Sequence, residues 1–308
     1  MVKTERKVYI NGQMIPESKA KISVLDLGFL YGATFMEAIR TFNHKLFKLD
    51  EHLSRLERSM RYVGIKPLIS KSEMAKVIEK VLKANIHLTK KGDDCWICFE
   101  VTPGVGLTHP LMKQKDPRPT VIVYSSALPY DEYVRYYTEG KHAVNSDIRH
   151  LHPQTLDPRS KNRSRMHYFI AKLEAQRKDP DAFALLLDLN GNITESSGAN
   201  FFIVANNTLY TSSTRNIMMG ISRQTVLELA EELKLPAVEK DITLYDVYNA
   251  DEAFLTATSY CILPVSRVNH IEIGKKISGH WTNRLLTAWS KKVGVDIVKQ
   301  SRKFMKKQ

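Results

Sequence analysis

Two apolar periods run through this chain, one suited to strands and one to helices. "KVYINGQMI" sets two short apolar runs around Asn11-Gly12, a strong turn dipeptide, and predicts a hairpin. "LYGATFMEAIRTF" is apolar throughout and fits helix or strand, and "NHKLFKL" behind it reads as a hairpin-like return. In "LDEHLSRLERSMRYVGI", Leu53, Leu56, Met60 and Val63 share one helical face, and Gly64 ends the helix. "KSEMAKVIEKVLKANIHL" predicts a second amphipathic helix with Ser72 as its cap. "DCWICFEVT" and "PTVIVYSSA" predict strands.

"LPYDEYVRYYTEGKHAV" is polar, aromatic and turn-rich, like a connector, and the pattern changes after it. "RMHYFIAKLEAQRK" predicts a helix. "AFALLLDLNGNITESSGANFFIVANNTLYT" predicts short strands broken at Asn190-Gly191 and Asn206-Asn207. "GISRQTVLELAEELKL" and "GHWTNRLLTAWSKKVG" predict helices on either side of a mostly strand-like "DEAFLTATSYCILPVSRV". The expected organisation is α+β: a small domain over residues 1–124, a connector over 125–140 and a larger domain over 141–308. No internal repeat or low-complexity segment interrupts it, and the basic tail "KQSRKFMKKQ" reads as a solvated end.

Composition adds limits. At 308 residues and 43% apolar, the chain can build two domains and bury a substantial core. A net charge of +13 suits a polyanion partner, but equally a soluble enzyme with a basic surface or phosphorylated ligands. "MVKTERKVYINGQ" carries no apolar signal core, and no apolar run approaches the roughly 20 residues that cross a bilayer. Three cysteines, an odd and low count, fit a reducing cytoplasm. Cys95 and Cys98 form a "CWIC" pair inside an alternating strand, with no second pair to complete a zinc site, so packing is the expected role.

Four features carry candidate chemistry. In "DPRSKNRSRMHY", Arg159, Lys161, Arg163 and Arg165 recur at every second position. Like charges nearby favour the neutral form of a lysine, and a neutral amine attacks carbonyls. Glu195 lies in "NGNITESSGANFF", followed by three tiny residues that allow close approach of a flat ligand, where a carboxylate could hold a protonated pyridine nitrogen. In "MMGISRQTVLELAEEL", Gly220 and the amides of Ile221 and Ser222 open a helix and form a ready phosphate site. Arg55 lies beside the buried face of its helix, where it either pairs with a carboxylate or reaches a phosphate. Each alone also has a plain structural reading, as a solvated cation, a turn residue, a capped helix or a surface arginine.

Taken in order, "DLGFLYGATFMEAIRTF", "LFKLDEHLSRL", Lys161, "LLLDLNGNITESSGANFF", "GISRQTVLELA" and "DEAFLTATSYCILPV" resemble the class IV aminotransferases, the fold-type IV pyridoxal-phosphate enzymes. The resemblance runs from about Val8 to about Val268, and the spacing of Lys161 and Glu195 is one that branched-chain members share. It implies a two-domain fold, a small α/β domain plus a larger one with a β-barrel-like core, and pyridoxal 5'-phosphate as cofactor. Lys161 would be the lysine bonded to the cofactor and the proton carrier. Glu195 would hold the ring nitrogen, and Arg55, Gly220, Ile221, Ser222 and Thr258 would surround the phosphate. Tyr31, Met36 and Arg40 would line or brace the substrate, with Ala257 and Ser259 opposite. The family's site lies between its domains and borrows residues across a dimer, which implies a homodimer acting on amino and 2-oxo acids.

Departures from the family bear on the substrate. "SRMH" follows the lysine where branched-chain members carry Gly-Asn-Tyr, so the tyrosine that contacts the cofactor's phenolic oxygen is Met166, with Tyr168 as a candidate stand-in. Pro103 in "VTPGVG" replaces the arginine by which D-amino-acid members grip the carboxylate. Glu37 in "FMEAIR" stands where the lyases tend to carry threonine, and "EAIR" resembles the branched-chain group. Carboxylate recognition then falls to Arg40, Tyr31, backbone amides or a residue such as His109. The expected activity is branched-chain transamination with 2-oxoglutarate or a similar acceptor. The alternatives are aminodeoxychorismate lyase chemistry or transfer from D-amino acids or amines. A non-catalytic RNA binder is disfavoured, because the basic strip lacks interleaved aromatics and no RNA-binding signature accompanies it.

Overall fold

In the computed structural model, residues 5–89, 92–105 and 118–304 are described. Contacts divide the chain into two compact units. The first comprises Met1–Leu128 and Ser160–Arg165, the second Pro129–Arg159 and Met166–Gln308.

The first unit is built on β1 (Lys7–Ile10), β2 (Gln13–Pro16), α1 (Leu27–Tyr31), β3 (Phe35–Phe42), β4 (Lys45–Leu46), α2 (Leu49–Tyr62), α3 (Lys71–Asn85), β5 (Cys95–Thr102) and β6 (Thr120–Ala127). Its antiparallel sheet has the order β2-β1-β6-β5-β3-β4. The apolar stretch that fitted helix or strand is the strand β3, because its alternating residues Phe35 and Ile39 pack against α2 and α3 beside Ile97, Phe99, Val101 and Val123. Ser70, not Ser72, caps α3: its hydroxyl accepts from the Glu73 amide while Glu73 reaches back to the Ser70 amide. Val63 lies at the end of α2 and is exposed rather than on the buried face. Cys95 and Cys98 both lie on β5, and burial pushes the Cys95 thiol up to about 11 and raises Cys98 as well. Thiols in that state are packing groups.

The second unit begins with two short helices, α4 (Tyr130–Tyr133) and α5 (Tyr136–Glu139), in the stretch that reads as a connector. Then follow β7 (Lys141–Arg149), α6 (Met166–Lys178), β8 (Phe183–Leu187), β9 (Ile193–Ser196), β10 (Ala199–Ala205), β11 (Thr208–Thr211), α7 (Ile221–Glu232), β12 (Ala237–Glu239), α8 (Leu244–Tyr248), β13 (Glu252–Ala257), β14 (Cys261–Val268), β15 (Ile271–Glu272), α9 (His280–Val293) and α10 (Ile297–Arg302). Six strands close a barrel in the order β10-β13-β14-β7-β8-β9, with β9 pairing back to β10. The β14–β7 and β7–β8 pairs are parallel, and the remaining barrel pairs are antiparallel. Closure removes the edges of these strands and leaves β10 buried on both faces, with Phe202 stacked on its register partner Phe254 at 5.0 Å.

Candidate active site

In the first unit, a short extended segment carries Lys161. The Met36 amide donates to the Lys161 carbonyl at 3.1 Å, and the Arg163 amide donates to the Thr34 carbonyl at 2.9 Å, so residues 161–163 extend the edge of β3. The Lys161 amide in turn donates to Ser59 Oγ at 3.1 Å, and Ser59 donates to the Arg55 carbonyl at 3.0 Å. These bonds, one of them through the Ser59 hydroxyl, bring Lys161 together with Met36 and Arg55. Ser164 Oγ adds bonds to the Tyr31 and Gly32 carbonyls at 3.4 and 3.2 Å, drawing the end of α1 to the same segment.

Behind β3 lies a fully buried charge cluster. Glu37 shares the inward face with Phe35 and Ile39, and its carboxylate accepts Arg55 Nε at 2.6 Å, Arg55 Nη2 at 2.8 Å and His52 Nδ1 at 2.7 Å. Burial alone would raise the Glu37 carboxyl, but the charge and hydrogen bonds of Arg55 and His52 hold it well below the usual carboxylate range. Burial pushes His52 below its ordinary value, against the pull of Glu37, and the Arg55 and Lys161 charges add to that lowering.

In the second unit, Glu195 is 3% exposed and accepts four contacts. Oε1 takes Tyr168 Oη at 2.6 Å and His150 Nε2 at 3.2 Å, and Oε2 takes Asn200 Nδ2 at 2.9 Å and the Met218 amide at 3.1 Å. Burial would raise this carboxyl too, but His150 first and then Tyr168 and Met218 lower it, so the group is an anion. Met218 lies in the loop that opens α7. Gly220 is its N-cap, with no side-chain cap on the amides that follow. A Cβ at Gly220 would sit 2.1 Å from Asn200 Oδ1, so the glycine is required by close approach and not by its φ of −66°. Ala257, Thr258 and Ser259 enter the β13–β14 turn, beyond the Thr256 that faces Asn200 in register. Tyr133 and Tyr137 pin that turn through the carbonyls of Ser259 and Tyr260 at 3.1 and 2.7 Å.

Residues 34–268 match the family model for amino-transferase class IV. This chain is a class IV aminotransferase. It is 35% identical to a putative branched-chain-amino-acid aminotransferase of Methanocaldococcus jannaschii, over 91% of this chain and 93% of that one. It is 30% identical to a D-alanine aminotransferase of Bacillus licheniformis, over 92% and 95%. Among solved structures it resembles the branched-chain amino acid aminotransferase of Escherichia coli, at a TM-score of 0.79 and 26% identity, covering 92% of this chain and 93% of that one. Another branched-chain amino acid aminotransferase, solved with pyridoxamine 5'-phosphate, gives a TM-score of 0.84 at 26% identity, covering 94% of this chain and 95% of that one.

Within this aminotransferase the expected residues fall into two groups. Lys161, Arg55, Met36 and the Tyr31 backbone gather in the first unit, and Glu195 and Gly220 are tied together in the second by Asn200 and Met218, with Ile221 and Ser222 next in the chain. Arg40 stands apart: it is four strand residues beyond Met36, with its guanidinium 4.1 Å over the Phe42 ring and Nε on the Thr41 carbonyl. Arg55 meets a carboxylate directly, which is one of the two outcomes its position allowed. Tyr168 does not offer its hydroxyl as a stand-in for the missing tyrosine at Met166, since its proton goes to Glu195. The basic strip is partly neutralised: Arg159 Nε lies 2.9 Å from Asp157 Oδ1, and Arg163 pairs with Glu100, which also takes Tyr124 Oη at 3.1 Å. His109 lies outside the described residues. The roles of Glu37, His150 and Asn200 were not assigned from sequence. For Glu37 the signal depends on the strand state of β3: alternation in "FMEAIR" then puts a carboxylate on the core face, where it needs a cation.

Gly220→Ala should test the loop. The new methyl must displace the Asn200 amide that holds Glu195, and overpacking of this kind costs about 1–3 kcal/mol. The expected result is a lower urea midpoint together with weaker binding of added pyridoxal phosphate. An unchanged affinity would show that Asn200 moves aside without disturbing Glu195.

Proposed function

We propose that this class IV aminotransferase transfers the amino group of a branched-chain L-amino acid to a 2-oxo acid such as 2-oxoglutarate, with pyridoxal 5'-phosphate as cofactor. The observation that carries the reading is the pairing, through the Met218 amide, of the buried Glu195 anion on β9 with the uncapped start of α7. The residues fit the cofactor: an anion for a protonated ring nitrogen, amides at Ile221 and Ser222 for a phosphate, and a glycine where a side chain would intrude. When bound, pyridoxal phosphate supplies a ring that takes up the electron pair released at the substrate carbon.

The chain's own residues take the remaining roles. Lys161 would hold the cofactor covalently and would move a proton at the substrate carbon. Glu195 would keep the ring nitrogen charged. Ser222 and Thr258 would add hydroxyls to the phosphate side, and Arg55, whose Nε and Nη2 are taken by Glu37, would lend its charge. Met36 and Tyr31 line the substrate side, Arg40 braces it from further along β3, and Ala257 and Ser259 complete it. Pro103 offers no charge to a substrate carboxylate, which supports an L-amino acid donor over a D-amino acid. The branched-chain relatives support the donor class.

Two further readings belong to the proposal. A homodimer is supported by the exposed apolar run of Ile22, Val24, Leu25, Phe29, Leu30 and Tyr31, which is large for a solvated surface. A cytoplasmic location is supported by three buried cysteines, none of them in a disulfide. Among the described residues no helix is long and apolar enough to cross a membrane. The direct test offers L-leucine, L-valine, D-alanine and aminodeoxychorismate in turn and follows 2-oxoglutarate. Its consumption with the branched-chain L-donors supports the proposal. Turnover of D-alanine alone, or pyruvate release from aminodeoxychorismate without an acceptor, contradicts it.

A further inference from the structure

His150 and Tyr168 form a closed hydrogen-bonded set with Glu195. Tyr168 Oη lies 2.6 Å from Glu195 Oε1, His150 Nε2 lies 2.8 Å from the same hydroxyl, and His150 Nε2 lies 3.2 Å from Oε1. The protons in this set can be assigned. Glu195 is a carboxylate and has none to give. Tyr168 has one, and the shortest contact directs it to Oε1. Nε2 of His150 therefore carries a hydrogen and donates it toward the hydroxyl oxygen and the carboxylate. Nδ1 lies 3.3 Å from the Leu151 carbonyl. His150 is 4% exposed and Glu195 3%, so water cannot replace a lost partner.

The two donors come from different elements. His150 directly follows β7, and Tyr168 lies in the first turn of α6. The remaining carboxylate oxygen is held from β10 and the α7 loop, through Asn200 and Met218. Glu195 is thus braced from two sides. Asn200 and the Met218 amide hold the oxygen tied to the phosphate loop, while the histidine and tyrosine hold the other oxygen from elements outside that loop. The rings of His150, His167 and Tyr168 pack within 4.0–5.5 Å of one another, which limits rotation of the brace.

We propose that His150 is a positioning residue for Glu195, acting through Tyr168 to fix the orientation of the carboxylate that meets the cofactor's ring nitrogen. The inference rests on the proposed pyridoxal-phosphate reading and assigns it a determinant of how strongly the ring withdraws electrons. His150 itself touches neither cofactor nor substrate in this account. Its loss leaves the covalent attachment and the phosphate side intact and weakens the ring-nitrogen contact alone.

The test uses the full-length protein loaded with pyridoxal phosphate, as wild type, His150→Ala, His150→Gln and Tyr168→Phe. Thermal melting checks the fold, an absorbance titration gives cofactor affinity and the visible band, and steady-state kinetics with L-leucine and 2-oxoglutarate separate kcat from KM. The amide nitrogen of His150→Gln can replace the Nε2 donor. The expected result for His150→Ala is a kcat lower by about 10–100-fold, the range that loss of an outer hydrogen-bond partner costs at metal sites. KM should change much less, the visible band should shift, and His150→Gln should recover most of the loss. Tyr168→Phe should move band and kcat in the same direction, and it decides the matter if His150→Ala does not fold. A band and kcat within about twofold of wild type in folded His150→Ala or Tyr168→Phe overturn the proposal. A folded His150→Gln as impaired as His150→Ala overturns it too. A wild type that acquires no band overturns the cofactor reading, and this inference with it, whereas a normal wild type with unaffected variants overturns this inference alone.

Discussion

Lys161→Ala is expected to lower kcat for amino-group transfer from L-leucine by about 10⁴-fold, the upper end of what a lost proton-transfer group costs. The upper end applies because the same amine is assigned both the covalent attachment and the proton transfer. The fold should survive. Lys161 is anchored by its backbone, through its amide to Ser59 Oγ and its carbonyl to the Met36 amide, and alanine keeps both bonds. Melting temperature and cofactor-free circular dichroism should match wild type while 2-oxoglutarate consumption disappears. A mutant that retains a tenth of wild-type activity would show that another group carries the proton.

Glu37→Ala is expected to have the largest effect on stability, about 3–5 kcal/mol, because it leaves the Arg55 charge buried without its carboxylate. The pair is nearly dry, with side-chain exposures of 6% for Arg55 and 0% for Glu37, so screening does not soften the loss. Urea unfolding at neutral pH measures it, and a loss below about 1 kcal/mol would contradict the account. The acid behaviour has a definite sign. Glu37 ionises below its ordinary range in the folded state, so its contribution is complete above the unfolded carboxylate value and is lost as pH falls toward the depressed one. Burial depresses His52 as well, so its contribution is present above the ordinary histidine value of 6.5 and also declines on acidification. Both groups make wild type acid-sensitive, and Glu37→Gln should flatten the lower limb of the stability–pH curve.

Much of this was legible in the sequence wherever the local pattern and the tertiary environment agree. The helix carrying Arg55, the Asn11-Gly12 hairpin and the strand series around Glu195 follow from periodicity and turn residues. The strand state of β3 was not legible, because an apolar run buried on both faces loses its alternation, and only packing against α2 and α3 decides it. The cap of α3 was misplaced by two residues because Ser70 and Ser72 carry the same chemistry, and it is the reach of Glu73 that selects Ser70. Arg55 showed only that it needed an anion. Which anion depended on Glu37 lying opposite across β3 and α2, a contact 18 residues away in sequence. The brace on Glu195 was hidden for the same reason, since His150 and Tyr168 meet it over separations of 45 and 27 residues. The family resemblance pointed instead to the cofactor's phenolic oxygen as the tyrosine's partner. Closure of the barrel through β9 and β10 is a long-range pairing that no local pattern announces.

The most direct measurement is an absorbance spectrum of the purified protein with added pyridoxal phosphate, wild type beside Lys161→Ala, followed by L-leucine. The account predicts a visible band in wild type, its absence in the mutant and its bleaching by leucine. No band in wild type, or the same band without Lys161, would contradict it.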